Sequence, residues 1–328
     1  MKKILLTLLA ALSLTAQAQI ATSGDGLVPE PTHTEPLKTI TLPIERVDRT
    51  PVVFENRQLG LKLAGILFHP RTRQTDKKLK AVIIGGPMYS TKELPQSNYA
   101  VMLADKGYAT LVYDNSYIGS SEGHPRGLED PDVKASDLRS AVDYLTTLDD
   151  IDTAHIAAVG ICGSGSYLPY GAKDDARVKA VVSIVPFTVM DRIISTPDSV
   201  LLHDKEMYEK TGVAQRVDLA AGSPGEAYYR NAQRGATPNY VNAVSWSALS
   251  WRHFHPTQFI RELHQPYLVI IGENAFSRLG GQRMYENAGS AHKFLHVTKD
   301  ATHFEMYDGD KYVRENVAVI ADFLEKYL

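Results

Sequence analysis

The sequence predicts an α/β domain with a mostly parallel central sheet flanked by helices. Short apolar segments with the composition of β-strands recur along the chain, and amphipathic helical patterns lie between them. The later apolar segments are continuously apolar rather than alternating, which is typical of strands buried on both faces of a parallel sheet. Strands that alternate with helices indicate crossover connections between parallel strands.

Seven segments are predicted as strands of this sheet. They lie at residues 60–69, 81–86, 109–114, 155–162, 178–187, 267–272 and 293–298. Two helices have clear sequence signatures. Asp130 supplies a side-chain cap and Pro131 a suitable first residue for a helix that continues to about Leu148. The last helix places the apolar residues between Val313 and Tyr327 on one face.

One long segment, from Phe187 to about Gln265, interrupts this alternation. It contains helical patterns but lacks the pattern of a buried strand, and it is too long for a structureless loop in a compact domain. It is rich in aromatic residues: Tyr208, Tyr228, Tyr229, Tyr240, Trp246, Trp251 and Phe254. We interpret residues 188–265 as a helical cap inserted after the strand at 178–187 and folded over the carboxyl edge of the sheet. A helical decoration placed elsewhere is the alternative.

The N-terminal residues have the pattern of a secretory signal peptide. Lys2 and Lys3 precede an apolar segment at residues 4–14, and a small-residue cleavage site at 16–18 leaves Gln19 as the expected mature start. No cysteine lies near this site, so we expect no lipid attachment and no membrane insertion after signal cleavage. The sequence therefore predicts a signal peptide at 1–18, a flexible lead at 19–50, a folded domain at 51–328, and a periplasmic or secreted location.

The composition excludes several classes of partner. The chain has 328 residues, of which 44% are hydrophobic, so it can bury a sizeable core. Its formal net charge of -3 and the lack of a lysine or arginine block leave no electrostatic footprint for nucleic acid or for an anionic membrane surface. We therefore expect a small molecule as the partner. The composition leaves the oligomeric state open.

The only cysteine, Cys162, lies in the segment GICGSGSY at residues 160–167. A single cysteine cannot form an internal disulfide, so the thiol is free or pairs with another molecule. An inert buried thiol is one interpretation. The other is a nucleophile elbow, in which a strand runs into a sharp turn that lifts the reactive side chain above the sheet before a helix begins. Gly160 and Ser164 supply the small flanking residues that such a turn needs.

The elbow also predicts the chemistry of the thiol. Cys162 would lie at the N-terminus of a helix, whose dipole favours the thiolate, and a nearby imidazole would lower the thiol pKa further from about 8.5. The amide N–H of Gly163 would point at a developing oxyanion. Ser164 is the rival nucleophile, but its flanks are Cys162 and Ser166, and the strand would have to run two residues longer. A dinucleotide-binding turn requires a different glycine spacing and an acidic residue after the next strand.

A histidine after the last strand is predicted as the base. His303 follows the predicted strand at 293–298 and precedes the last helix, and of the 11 histidines it is the one that this topology selects. A surface-loop histidine with a local hydrogen bond is the alternative. His253 and His255 have a spacing that could bind a metal, with His264 nearby, but no cysteine or acidic partner stands beside them. We expect neither a metal nor an organic cofactor.

The chain resembles the α/β-hydrolase superfamily and, within it, the dienelactone-hydrolase-related branch. Members of that branch carry a GICGSGGY-type elbow and a GATH-type histidine loop, which here are GICGSGSY at 160–167 and DATH at 300–303. The loop at 113–123 and the helix, strand and elbow at 141–165 extend the resemblance, which runs from about Val52 to the C-terminus. These motifs are specific for the fold and not for a substrate.

The resemblance implies a nucleophile at Cys162, a base at His303, and an oxyanion hole built from the Gly163 amide and one amide of the loop at 85–89. Pro87 has no N–H to donate, so Met88 or Tyr89 supplies the second amide, and we choose Met88.

The third catalytic member departs from the superfamily pattern. An aspartate is expected shortly after the strand at 267–272, but the sequence there is Gly-Glu-Asn-Ala-Phe-Ser-Arg. Glu273 is our choice to orient the histidine. Asp191 is an alternative, as is a Cys–His dyad with an amide such as Asn274 in the third place.

The predicted function is that of an exported hydrolase that cleaves a small ester, lactone or thioester through a covalent acyl-cysteine intermediate. Cys162 attacks the acyl carbon, His303 takes and returns the proton, and backbone amides hold the oxyanion. The aromatic cap suggests a largely apolar pocket. Acyl transfer or peptide cleavage on the same site are alternatives, as is a homologue that binds a ligand without turnover.

Overall fold

The computed structural model describes residues 40–74, 76–189 and 195–328. The predicted signal peptide, residues 19–39 of the predicted lead, and Asp191 lie outside these ranges. The last part of the predicted lead is structured: Ile44–Arg46 form a 3-10 turn and the first strand begins at Val47. The folded domain therefore begins earlier than the predicted residue 51, because residues 47–50 pair with residues 67–70 of the next strand.

The core of the fold is a single sheet of eight strands. These are β1 (Val47–Asn56), β2 (Leu61–Pro70), β3 (Leu79–Gly85), β4 (Ala109–Tyr113), β5 (Ile151–Ile161), β6 (Val178–Ile184), β7 (Tyr267–Gly272) and β8 (Lys293–Thr298). Their order across the sheet is β1-β2-β4-β3-β5-β6-β7-β8. β2 pairs antiparallel with both β1 and β4, and every other pairing is parallel. All seven predicted segments are strands, as their apolar character indicated.

Ten α-helices are present in the described part of the chain. They are α1 (Pro95–Asp105), α2 (Pro131–Leu145), α3 (Ser164–Ala172), α4 (Asp198–Thr211), α5 (Pro224–Tyr229), α6 (Ser247–Trp251), α7 (Pro256–Phe259), α8 (Arg278–Asn287), α9 (Glu305–Asp308) and α10 (Asp310–Tyr327). A 3-10 turn, Ile260–Glu262, follows α7. None of the described helices is long and apolar enough to cross a bilayer.

The helices cover both faces of the sheet. Apolar residues of α1 and α10 pack on one face, and those of α2, α3 and α8 pack on the other. The start of α2 is the one that the sequence predicts: the Asp130 side chain accepts the backbone N–H groups of Asp132 and Val133, and Pro131 is the first helical residue. Two buried layers on either side of a continuous apolar sheet explain why the strands lack alternating polarity.

The segment after β6 lies over the carboxyl ends of the strands. It contributes α4 to α7 and an apolar cluster that includes Trp246 and Trp251 and reaches Met88, in the loop after β3. At its other end, the ring of Tyr228 in α5 stacks on Phe304, which follows β8, at a centroid distance of 5.1 Å. The insertion therefore covers the edge of the sheet at which parallel strands of such folds place their functional residues.

Candidate active site

Cys162 occupies a strained turn between β5 and α3. Its φ angle is 55°, in the left-handed region that non-glycine residues rarely adopt, and the helix begins two residues later. Gly160 allows this turn, because a Cβ atom there would lie 2.0 Å from the carbonyl oxygen of Ser164. Ser164 lies in the first turn of α3 and is buried. The residue at the apex of the elbow is thus Cys162.

Three hydrogen-bonding groups surround the Cys162 sulfur. They are the backbone amides of Gly163 and Met88 and the hydroxyl of Tyr307. The two amides come from the elbow itself and from the loop after β3, and both lie beside the sulfur, where the carbonyl oxygen of an acyl group bound to it would be within their reach. Glycine at position 163 lets the loop approach, because a Cβ atom there would lie 2.6 Å from Met88 Cγ. This is the arrangement of an oxyanion hole.

A buried ion pair determines which amide of the loop at 85–89 faces the sulfur. The Tyr89 N–H donates to a carboxylate oxygen of Glu129, so it is turned to the acidic residue and the Met88 N–H serves the sulfur. Glu129 is fully buried, and its other oxygen lies 3.1 Å from Lys134 Nζ. Tyr89 has a φ of 44°, so this carboxylate holds a residue in an unfavourable backbone conformation.

The protonation state of Cys162 differs from the sequence prediction. Burial raises the pKa of its thiol to about 11, although the hydrogen bonds from Tyr307, Gly163 and Met88 act in the opposite direction. The prediction that the helix dipole and a nearby imidazole lower the thiol pKa is therefore wrong, because the thiol is buried. Removing a thiolate from water disfavours it more than these three donors favour it.

His303 lies fully buried between two hydroxyl groups and an aromatic ring. Its Nε2 is 2.9 Å from the Tyr307 hydroxyl, and its Nδ1 is 2.7 Å from Ser277 Oγ. Its ring stacks on Phe276 at a centroid distance of 4.2 Å. Burial lowers the pKa of His303 to about 3, so the imidazole is neutral at physiological pH. A neutral imidazole has a nitrogen lone pair that can accept a proton, which an imidazolium lacks.

The residues considered for the third catalytic position hold the histidine loop. Glu273 Oε2 accepts the backbone N–H of Asp300 at 3.0 Å, and Asn274 Nδ2 donates to the Asp300 carbonyl at 3.2 Å. Asp300 has a φ of 61° in the turn that leads to His303. Among the described residues, Ser277 places its hydroxyl against Nδ1, and Asp191 lies outside the described residues. That Glu273 orients the imidazole stays a prediction, and its visible contact is with the backbone of the loop.

The structure thus brings Cys162, Gly163, Met88 and His303 into one site, with Glu273 at its margin. Sequence reasoning missed Tyr307, Ser277 and Glu129. Tyr307 had a weak signal, because a residue four positions after His303 faces the same side of a helical turn. Ser277 and Glu129 had none, since only the folded chain brings them to the histidine and to the loop after β3.

Aromatic residues of the cap close over this site. Tyr229 and Tyr240 stack at a centroid distance of 5.0 Å, Tyr240 meets the edge of Tyr89 at 5.8 Å, and Tyr229 meets Phe304 at 6.1 Å. The walls near the sulfur are therefore aromatic and largely apolar. Within the described ranges, no group of three or more His, Cys, Asp or Glu side chains is arranged to hold a metal ion.

Comparison with known proteins identifies the family of this chain. Residues 59–272 match the X-Pro dipeptidyl-peptidase (S15) family. The uncharacterized protein PA2218 of Pseudomonas aeruginosa is 33% identical over 295 residues, which cover 82% of this chain and 78% of that protein. The crystal structure of PA2218 matches with a TM-score of 0.78 at 29% identity, covering 92% of this chain and 100% of the other.

A relative with a described activity also matches most of the chain. A thiohydrolase of Eupenicillium brefeldianum is 26% identical over 274 residues, which cover 77% of this chain and 87% of the thiohydrolase. Together with the order of the strands, the family match and the PA2218 structure confirm the predicted α/β-hydrolase fold.

Proposed function

The chain belongs to the X-Pro dipeptidyl-peptidase (S15) family, and we propose that it is an exported hydrolase that cleaves a small ester, lactone or thioester through an acyl-Cys162 intermediate. The observation that carries the proposal is that the strained elbow at Cys162 and the close approach of the Met88 loop to Gly163 bring two backbone amides beside the sulfur. Two fixed donors beside a strained nucleophile are the parts that acyl transfer requires. The dienelactone-hydrolase-like elbow with a cysteine nucleophile is the sequence feature that supports the same chemistry.

The neutral pair of Cys162 and His303 determines the order of events. As the sulfur attacks the acyl carbon, the thiol proton passes to the neutral imidazole, and the carbonyl electrons move to the oxygen held by the Gly163 and Met88 amides. The tetrahedral intermediate then collapses, and the imidazolium protonates the leaving group. Water gives a proton to His303 as its oxygen attacks the thioester, and that proton passes to the sulfur when the acid departs. The proton lost from the thiol therefore departs with the leaving group, and the proton taken from water restores the thiol.

The choice of substrate class has two supports. The aromatic rings of Tyr229, Tyr240 and Phe304 favour an apolar acyl group over a charged one. The thiohydrolase relative favours a thioester among the possible acyl bonds. The family match keeps cleavage of a peptide as the second candidate, because the family takes its name from a peptidase. Transfer of the acyl group to an acceptor other than water uses the same intermediate.

The test is to mix the protein with a p-nitrophenyl ester of a short fatty acid. We expect a burst of nitrophenol close to one equivalent per chain and a mass increase of one acyl group on the peptide that contains Cys162. Cys162→Ala should show neither, and Ser164→Ala, a matched change two residues away, should show both. A panel of acyl esters, lactones, thioesters and X-Pro peptides then ranks the substrate classes. Absence of the adduct in the wild type would mean that the protein binds ligands without turnover.

A further inference from the structure

We propose that the Tyr307 hydroxyl carries the proton between Cys162 and His303. This inference rests on the proposed function, since it assigns a role within the same site. Tyr307 would then be a catalytic residue, because it touches the nucleophile itself. The elbow motif at 160–167 and the histidine motif at 300–303 do not include Tyr307, so neither motif predicts a tyrosine between Cys162 and His303.

The hydroxyl bridges the two reactive side chains. It hydrogen-bonds to the Cys162 sulfur on one side, and it lies 2.9 Å from His303 Nε2 on the other. His303 and Tyr307 are both fully buried. Tyr307 lies in the short helix α9, four residues after His303, and its backbone N–H donates to the Phe304 carbonyl at 3.1 Å, so the helical turn fixes their spacing. The hydrogen-bonded path from thiol to imidazole runs through a single oxygen atom.

The other side of the imidazole sets the direction of this path. Ser277 Oγ can donate its proton to the Val185 carbonyl, 3.5 Å away, and it then accepts the Nδ1 proton of His303 at 2.7 Å. With the proton on Nδ1, Nε2 carries the lone pair and accepts the hydrogen of Tyr307. The phenol oxygen is left with lone pairs that accept the thiol proton. Each group has the donor or acceptor that transfer toward the histidine needs.

The step moves two protons together. When the bond between sulfur and acyl carbon forms, the thiol proton passes to the phenol oxygen, and the phenol proton passes to Nε2. The carbonyl π electrons move to the oxygen, so the site holds a thioether-like sulfur, a neutral phenol, an imidazolium and an oxyanion. When the intermediate collapses, the imidazolium returns its proton to the phenol oxygen, and the phenol gives its own proton to the leaving group. Tyr307 is neutral before and after each transfer.

Packing alone does not require this hydroxyl. The ring of Tyr307 meets Tyr228 at 5.2 Å and Phe304 at 5.1 Å, contacts that a phenylalanine ring would keep. A hydroxyl placed between a nucleophile and its base, away from solvent, has those two groups as its hydrogen-bond partners. Burial raises the pKa of Tyr307 well above its ordinary value, so the side chain stays a phenol and passes protons on without keeping a charge.

Tyr307→Phe is the variant that tests the relay, because it removes one oxygen and keeps the ring. We expect the rate of Cys162 acylation to fall about 100-fold, the scale of general acid–base assistance. The wild type should show a curved dependence of acylation rate on the fraction of D2O, as two protons move in one step, whereas any residual reaction of Tyr307→Phe should show a linear one. Tyr267→Phe is the control. Its hydroxyl is buried in β7 and bonded to Ser183 Oγ at 2.9 Å.

A second measurement needs no turnover and therefore separates this inference from the proposed function. Iodoacetamide alkylates the Cys162 sulfur as its proton departs, so base assistance by His303 through Tyr307 adds to the rate that the small thiolate fraction alone supports. Tyr307→Phe and His303→Gln should each slow alkylation at pH 8, and the double variant should be no slower than either single one, since each removes the same path. Additive effects, or Tyr307→Phe that alkylates and acylates at the wild-type rate, would overturn the relay. If the wild type forms no acyl adduct while the alkylation effects are non-additive, the proposed function fails and the relay stands.

Discussion

The backbone N–H of Tyr89 donates to the carboxylate of Glu129, so the loop that supplies one oxyanion donor is tied to a buried ion pair. Lys134, on α2, is the other member of that pair. The contact directs the Tyr89 amide away from the sulfur and leaves the Met88 amide facing it. The buried Glu129–Lys134 pair thus determines which backbone amide of the loop faces the sulfur.

Paired substitutions at Glu129 and Lys134 distinguish the effect of the buried charges on stability from the effect of the loop position on turnover. Glu129→Ala should lower the free energy of unfolding by about 3–5 kcal/mol, because it leaves a lysine buried without its partner. Glu129→Gln combined with Lys134→Met should recover stability and most of the turnover, since glutamine still accepts the Tyr89 amide. Glu129→Leu combined with Lys134→Met should recover stability but lose turnover about 10-fold or more. Urea unfolding and kcat measure the two effects, and a Leu–Met protein with wild-type kcat would contradict the assignment.

The neutral state of His303 predicts sensitivity to acid. Its pKa is about 6.5 in the unfolded chain and about 3 in the fold, so the unfolded chain binds a proton that the folded protein does not. The stability that comes from this residue is present above pH 6.5 and is lost as the pH falls toward 3, with a slope of about 1.4 kcal/mol per pH unit. Urea unfolding between pH 7 and pH 4 measures this slope.

Two histidine variants provide the comparison. His303→Asn should show a shallower loss of stability over that range, because the titrating group is gone. His296→Gln should keep the wild-type slope, because His296 lies near the surface of β8 and bonds to Glu315. Equal slopes for His303→Asn and the wild type would mean that other groups cause the acid sensitivity.

The thiol should be slow to alkylate at neutral pH. With a pKa of about 11, roughly one Cys162 thiol in ten thousand is ionised at pH 7. The rate of reaction with iodoacetamide should therefore rise steadily between pH 7 and pH 10 without a plateau near pH 8.5, the ordinary cysteine value. A plateau reached below pH 7 would instead support the lowered thiol pKa that the sequence predicted.

The cap should set acyl-chain preference through its aromatic wall. Tyr240, which is half-buried and stacks on Tyr229, can be shortened with little effect on the core. Tyr240→Ala should raise the ratio of kcat/KM for octanoyl over acetyl esters several-fold, because it opens space beside Tyr89. Tyr208→Ala is the matched control, since that ring packs on Trp246 instead. An unchanged ratio in Tyr240→Ala, with catalysis intact, would argue against this wall as the acyl pocket.

Sequence patterns predicted the features that depend on neighbouring residues. The apolar segments predicted the strands. Asp130 and Pro131 predicted the start of α2, and the small residues around Cys162 predicted the elbow. Features that depend on contacts far apart in sequence were not predictable. Glu129 reaches Tyr89 across 40 positions, and Ser277 reaches His303 across 26. The thiol pKa was misjudged for the same reason, since burial depends on the closed cap and not on the elbow.

The residue that orients His303 can be assigned by comparing two small substitutions. Ser277→Ala removes the group against Nδ1 and should lower kcat about 10-fold, because the imidazole loses the hydrogen bond that fixes its tautomer. Glu273→Gln keeps an acceptor for the Asp300 amide and should retain most of the wild-type kcat. If Glu273 instead orients the imidazole by its charge, as the sequence suggested, Glu273→Gln should lower kcat by a factor of 100 or more and Ser277→Ala should matter less. Measurement of kcat for both variants with one activated ester therefore decides between a serine and an acidic residue at this position.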